Sequence, residues 1–356
     1  MDTQESMYDC YKSQIKCLRN IFDAKDALLD KFYEFYTLRR PDRLLLVGSG
    51  TSFHACSASA AYLESCLGIE VSVKTPSAPG NIYGERPLAI AVSQSGRSTN
   101  TIEVIKTLKN MNIPVVTLTD PIDTPVGREG DLALLLAAED ETIGPKTRGY
   151  MATMFMLHLM ALEMGRQSGH ISEHEYDTDM KHLDALIEKG PGYLVDCEAF
   201  FNTHLDALIK AGQYLFVGTG VSANAANEGA LKVLETICCP AAGYEFEEFL
   251  HGPIFCANAS LALFFFLSDD DDAERMLKTA ALLNQATDNV YIISHKCVND
   301  VALPESRVLY LPCEDKLRAF AGVLFPQLIS AKLPEIMGRV RHAAVRDVAT
   351  ELSTKA

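Results

Sequence analysis

Short, wholly apolar runs alternate along this chain with longer stretches in which apolar residues recur every three or four positions. The runs Leu44–Val47, Val71–Val73, Leu88–Val92, Val115–Leu118 and Leu132–Leu136 have strand length and no period-two alternation. Such runs suit parallel strands buried on both faces. Phe53 to Cys66, the segment opening near Ser98 with Ile102, Val104, Ile105 and Leu108, and Tyr150 to Met164 carry helical spacing instead. Residues 1 to about 40 are also patterned as helix, through Tyr11, Ile15, Leu18, Leu28, Leu29, Phe32, Tyr33 and Tyr36, until Pro41-Asp42 ends the pattern. Alternation of strand and helix predicts a parallel sheet covered on both faces.

A second cycle repeats the first. The polar stretch from Gln167 to Gly190 reads as a helical connector, and Tyr193 to Ala211 as another amphipathic helix. Then come a strand at Tyr214–Val217, a turn Gly218-Thr-Gly220 that echoes Gly48-Ser-Gly50, a helix Ser222–Ile237, and apolar runs at Leu261–Leu267, Val290–Ile293 and Val308–Leu311. The shared order points to an internal duplication. The expected fold is α/β, with two tandem doubly wound parallel-sheet domains of flavodoxin-like type. They are expected at 43–166 and 196–335, with a helical lead-in at 1–42, the connector at 167–195 and a tail at 336–356.

Composition narrows the function. With 356 residues, 48% hydrophobic and 22% charged, the chain can bury two cores, and no apolar run approaches the length of a membrane span. The start, MDTQESMYDCYK, lacks the apolar segment of a signal peptide. The ten cysteines form no CxxC pair and read as reduced thiols, so the expected location is the cytoplasm. A net charge of −15 argues against nucleic acid and anionic membranes as partners. It also requires that any anionic ligand be held by local donors.

The strongest local signal follows the Leu88 run. Ser93, Gln94, Ser95, Gly96, Ser98 and Thr99 crowd the turn between a core strand and a helix N-terminus. Unpaired N–H groups and the helix dipole favour a phosphate there, and hydroxyls add donors without charge. Thr51 and Ser52 cap the helix after Gly48-Ser-Gly50, although the dinucleotide pattern GxGxxG fails at Phe53 and no GxxxxGK[ST] occurs. Ile143 to Gly149 reads either as a cap with surface charges or as Lys146, Thr147 and Arg148 at the mouth of the same pocket. The corresponding turn of the second half, Ser268 to Asp272, is acidic and would repel a phosphate, so it reads as a solvated helix N-terminus. Glu228 and Lys232 are spaced i, i+4 as in an ordinary surface ion pair, with Glu235 three residues on. His251 stands where Gly252-Pro253 stops a segment. No HExxH occurs, and His170 and His174 read as exposed residues of the connector, so no metal or other cofactor is expected.

Taken together these motifs resemble the sugar isomerase (SIS) domain family, and within it the isomerase half of glutamine–fructose-6-phosphate transaminase and the phosphosugar deglycases. Gly50-Thr-Ser52 and Ser93-Gln-Ser-Gly96, with Ser98, resemble its phosphosugar loops. Glu228-Gly-Ala-Leu-Lys232 with Glu235, and Glu248 with His251-Gly-Pro, resemble its catalytic helix and its HGP segment. The resemblance implies a phosphorylated sugar or sugar-amine substrate bound by Thr51, Ser52, Ser93, Gln94, Ser95, Gly96, Ser98, Lys146 and Thr147. It implies Glu235 as base, Lys232 as orienting group and His251 as acid, the last reaching into the pocket of a second subunit in a homodimer. Three features depart from the family, one being the loop Ile143 to Gly149, about one residue shorter than the transaminase's. Arg97 stands where an acidic residue is usual, and the tail from Arg339 to Ala356 does not resemble the segment that carries the ring-opening lysine, Lys355 being next to its end. No glutaminase domain or N-terminal nucleophilic cysteine precedes the pair, so glutamine-dependent synthesis is not expected. The expected function is a deglycase or isomerase acting at C1/C2 of a 6-phosphorylated ketosamine or aminosugar; the alternative is a silent phosphosugar sensor.

Overall fold

Each apolar run becomes a parallel strand, buried along its length in the middle of each sheet and only in part at the edges. In the computed structural model, which describes residues 5–268, 272–298, 302–339, 352 and 354–356, these strands form two sheets of five. The described residues divide into two units, 5–187 with residues 352 and 354–356, and 188–339.

The first unit opens with α1 (Met7–Arg39), started by a reciprocal capping box in which the Asp9 amide donates to Ser6 Oγ and the Ser6 amide to the Asp9 carboxylate. Then come β1 (Arg43–Val47), α2 (Thr51–Leu67), β2 (Glu70–Lys74), β3 (Pro87–Ser93), α3 (Thr99–Asn110), β4 (Val115–Thr119), the short α4 (Pro125–Glu129), β5 (Leu132–Leu135) and α5 (Arg148–Ser168). The strand order is β2-β1-β3-β4-β5, all parallel, with Val47 opposite both Lys74 and Ala91. Leu45, Val47, Ala89, Ala91 and Val115 share a cluster with Val104, Ile105 and Leu108 of α3. On α5 every residue from Arg148 to Gly165 is buried, and the helix packs against α1 and α2.

The second unit repeats the order with β6 (Gln213–Gly218), α7 (Val221–Thr236), β7 (Ala241–Glu245), α8 (Phe246–Leu250), β8 (Leu261–Phe266), α9 (Asp272–Leu283), β9 (Val290–Ser294) and β10 (Val308–Tyr310), followed by α10 (Arg318–Gly322) and α11 (Leu324–Ile336). Its sheet runs β10-β9-β8-β6-β7, the same order met from the other end. The duplication extends to the backbone. Gly50 (φ 55°, ψ −125°) and Gly220 (φ 51°, ψ −124°) precede α2 and α7 in one conformation that side chains disfavour.

Several local expectations need correction. Gly50 is the N-cap of α2, and Thr51 and Ser52 already lie inside the helix; neither caps it with its side chain. The connector and the Tyr193 helix are one helix, α6 (Glu173–Lys210), which carries Pro191 in its interior at the loss of one backbone hydrogen bond. Strand β7 was not evident from Ala241-Ala-Gly-Tyr-Glu245, because an edge strand with no fully buried residue leaves no apolar run. Asp272 opens α9 and accepts from Arg275, while Asp269, Asp270 and Asp271 lie outside the described residues. His170 precedes α6 and His174 lies in its first turn, both exposed. No helix among the described residues is long and apolar enough to cross a membrane.

The contact between α2 and α5 depends on Gly165, where an added Cβ would stand 2.3 Å from the Cys66 carbonyl oxygen. Backbone cannot step aside as a side-chain tip can. Gly165→Ala is expected to cost about 1–3 kcal/mol, seen as a thermal midpoint lowered by several degrees; an unchanged midpoint would contradict this packing.

Candidate functional site

In the first unit the strand order reverses direction between β1 and β3, and the turns that leave these two strands lie on either side of that reversal. Crevices at such points are where doubly wound sheets take ligands. One turn is Gly48–Gly50, leading to Thr51 and Ser52, both buried at the start of α2. The other runs from Ser93 through Gln94, Ser95, Gly96 and Arg97 to Ser98, the N-cap of α3. Asn100 Nδ2 donates to Ser49 Oγ at 2.9 Å and ties the two turns together.

The serine turn is held in shape by its backbone. The Gly96 amide donates to the Ser93 carbonyl at 2.9 Å, and the Gly96 carbonyl accepts from the Val126 amide at 2.9 Å. Gly96 has φ 62°, and a Cβ there would lie 2.1 Å from Thr124 Oγ1, so the position requires glycine. Ser98 makes no side-chain cap; its hydroxyl lies 3.2 Å from that of Ser93. Gln94 is turned toward α5, donating from Nε2 to Thr153 Oγ1 at 3.2 Å and packing on Gly149.

The segment before α5 is organised by Glu141, a residue the sequence did not single out. Its buried carboxylate accepts from the Thr147 amide (2.8 Å), the Thr147 hydroxyl (2.8 Å) and the Gly149 amide (3.0 Å), acting as the cap of α5. Thr147 is therefore fully buried, with its hydroxyl committed to Glu141. Arg148 is buried too, bound to Glu5, Ser13 and the Ala138 carbonyl, and is neither a surface charge nor a pocket rim. Lys146 is only partly buried and donates to the Glu141 carbonyl. Burial pushes its pKa down, opposed by Glu141 and reinforced by the ammonium of Lys355.

That last contact was not expected. Residues 354–356 lie antiparallel along the serine turn, with Lys355 paired to Ser98, the Thr99 amide donating to the Thr354 carbonyl (3.3 Å) and the Ala356 amide donating to the Arg97 carbonyl (2.7 Å). No residue pattern marks such a pairing in advance, since three residues of strand carry no periodicity.

The second unit holds the other group. Glu228, Lys232 and Glu235 line one face of α7. Glu228 and Lys232 are fully buried, which corrects the reading of a surface ion pair. Lys232 Nζ lies 3.5 Å from Glu228 Oε1 and 2.5 Å from Glu235 Oε2. The Glu235 side chain keeps 34% exposure, so its carboxylate opens outward from a buried ammonium and is not enclosed within this chain. His251 is the C-cap of α8 and is exposed, as is Phe255 at 88% two residues after Pro253. Among the described residues no group of three or more His, Cys, Asp and Glu could hold a metal ion.

The SIS domain model matches residues 37–163 and again 207–333. A glutamine–fructose-6-phosphate aminotransferase (isomerizing) from Caldanaerobacter subterraneus subsp. tengcongensis is 25% identical over 292 residues, 81% of this chain and 47% of that protein. The chain thus spans about half the length of this curated relative. Among solved structures, a protein from Clostridium difficile 630 assigned as a phosphosugar isomerase superposes with a TM-score of 0.84 at 24% identity, covering 94% of each chain. The C-terminal domain of glucosamine-fructose-6-phosphate aminotransferase from Francisella tularensis gives 0.83 at 19%, covering 95% of this chain and 98% of that one. At these identities the superpositions speak for the fold.

The buried pair on α7 generates a prediction. Lys232→Met strands Glu228 without its cation and is expected to destabilise the protein by about 3–5 kcal/mol. Lys232→Met with Glu228→Leu is expected to recover most of that loss. Urea unfolding of the single and double variants checks it, and equal losses would show that the two side chains are uncoupled.

Proposed function

From the premise that this chain belongs to the SIS domain family and carries two copies of the domain, we propose that it is an enzyme acting on a 6-phosphorylated ketosamine or aminosugar at C1 and C2. The observation that carries this reading is the Lys232–Glu235 pair, a carboxylate one-third exposed and held at 2.5 Å by a buried ammonium. A sensor needs a phosphate seat and has no use for a positioned base. The serine turn supplies that seat.

The phosphate is received by the hydroxyls of Ser52, Ser93, Ser95 and Ser98 and by the amides that open α3, donors that suit an anion without a positive field. Thr51, Gln94, Gly96, Lys146 and Thr147 shape or support the same side of the first unit. Binding energy gained there fixes the reacting carbons. With the ring open, Glu235 removes a proton from C1 of a 1-amino-2-ketose, and the electron pair passes through an enaminol. The proton returns to C2 and leaves an imine at C1, which water cleaves to the aldose phosphate and free amine. Lys232 stabilises the negative charge that develops on the C2 oxygen. His251 and Phe255, exposed on one chain, are the groups offered to a second copy, with His251 serving the neighbour as proton donor. The amine of Lys355, drawn along the serine turn by residues 354–356, is the group assigned to ring opening.

The test is a mass-spectrometric screen of fructosamine 6-phosphates and glucosamine 6-phosphate in deuterated water. Turnover is expected, with deuterium entering at C2 of the aldose phosphate formed from a fructosamine 6-phosphate and at C1 of the ketose phosphate formed from glucosamine 6-phosphate. Glu235→Gln should lower kcat by about 10²–10⁴-fold with little change in KM, while Ser95→Ala with Ser98→Ala should act chiefly on KM. Binding without turnover of any such compound would replace the enzyme by the sensor, and an unimpaired Glu235→Gln would remove the base.

A further inference from the structure

The amino ends of β1, β2 and β3 carry an opening that the phosphosugar reading does not use. It lies where three helices finish. Tyr36, Thr37 and Arg40 come from the end of α1, Leu67 and Ile69 from the end of α2 and its link to β2, and Gln167 and Ser168 from the end of α5; Pro41 and Arg86 precede β1 and β3. The cavity volume is about 470 Å³, within the range of small-molecule sites. The serine turn leaves the carboxyl ends of the same strands, so the two places are at opposite edges of one sheet.

Three features point to a ligand. First, two arginines line it. Arg86 Nε donates to the main-chain carbonyl of Arg40 at 2.8 Å, and Nη1 of Arg86 is 4.0 Å from the exposed Glu85 carboxylate. Among the described residues the Arg40 guanidinium has no hydrogen-bond or ion-pair partner. Second, no acidic residue lines the cavity, in a protein whose net charge is −15. Third, Tyr36 lines it at 7% exposure, and among the described residues its hydroxyl has no hydrogen-bond partner. The hydroxyl oxygen is accessible, so it is free to take water or a ligand. Leu67, Ile69 and Pro41 add an apolar surface beside these donors, and Gln167 accepts from Thr37 through Oε1 at 3.1 Å, which leaves its amide N–H groups to donate.

We propose that this cavity binds a phosphorylated small molecule, its phosphate held between Arg40 and Arg86 and its body laid against Leu67, Ile69 and Tyr36. A guanidinium matches phosphate geometry with parallel charge-assisted hydrogen bonds. The tyrosine hydroxyl and the apolar wall select a ligand with a ring or chain beyond the phosphate. The site is separate from the serine turn in both position and chemistry, since it uses full charges where the turn uses hydroxyls and amides.

Equilibrium dialysis of the full chain against adenosine diphosphate and against inorganic phosphate tests it. Binding is expected in the wild type and in Ser95→Ala with Ser98→Ala, stronger for the diphosphate that carries a ring, and falling as salt is raised. Arg40→Ala should weaken it by about tenfold or more. That side chain is exposed and makes no hydrogen bond or ion pair among the described residues, so its removal is expected to leave the fold intact, which an unchanged thermal midpoint would verify. Tyr36→Phe should weaken the diphosphate more than inorganic phosphate. Failure of both probes to bind the wild type at millimolar concentration would overturn the proposal, as would binding that Arg40→Ala leaves unaltered. Phosphosugar turnover is expected to be the same in Arg40→Ala and the wild type, so the fate of this site and that of the serine turn are read separately.

Discussion

The constraint on which the rest depends is the point where a parallel sheet changes the direction of its winding. Successive strands β1 and β2 build outward one way and β3 to β5 the other. The connections leaving β1 and β3 therefore diverge, and helix N-termini are left at the ends of these two neighbours. The hydroxyls and helix-opening amides that the first unit offers to an anion lie there. The apolar strands beneath, buried from Leu44 to Val47 and from Leu88 to Val92, keep the two turns rigid. Positions that would otherwise blur the turns are pinned: Gly50 by its positive φ, Gly96 by the two threonine hydroxyls beside it.

The second unit has the same reversal, between β6 and β8, and the same glycine turn, yet it has been closed. Arg318 reaches across it. Its Nε donates to Ser222 Oγ at 2.9 Å and its Nη2 to the Thr219 carbonyl at 3.3 Å, while Asp315 accepts from Nη1. His295 stands 3.3 Å from Asp315, its pKa lowered chiefly by burial. The space left beside this network is about 10 Å³, room for one water and no more. Ser222 occupies the place in its turn that Ser52 occupies in the first unit, but it serves an arginine of its own chain. Duplication thus produced two copies of one glycine turn, the second of them filled from within by Arg318. The helix after the filled copy, α7, carries Glu228, Lys232 and Glu235.

Much of this was legible in the residues. Strands as apolar as Leu261–Phe266 leave few alternatives, and the GxG turns and the serine run announced both the duplication and the place where it diverged. What escaped did so for physical reasons. Spacing shows that Glu228 and Lys232 share a helix face but not which way that face looks, so a buried pair and a surface pair read alike. Glu141 lies in a loop without period, and its role as the cap of α5 comes only from how the loop folds back. Pro191 usually ends a helix, and here the amphipathic pattern on both sides carried α6 through it. The pairing of Lys355 with Ser98 joins residues more than two hundred positions apart and depends on no local preference at all.

Charge explains why that distant pairing suits the serine turn. A chain with a net charge of −15 cannot draw in an anion by its overall field, and hydroxyls bind without steering. Lys146 supplies a cation at the turn's edge, but burial lowers its pKa, and the Lys355 ammonium lowers it further. Two ammonium groups brought together repel one another, so each raises the cost of charging the other. A phosphate at the same edge reverses that balance, because each ammonium then gains an opposite charge that outweighs its like neighbour. The arrangement therefore favours the anion most when both lysines are present, and the backbone bonds of residues 354–356 hold the second of them at the turn against that repulsion.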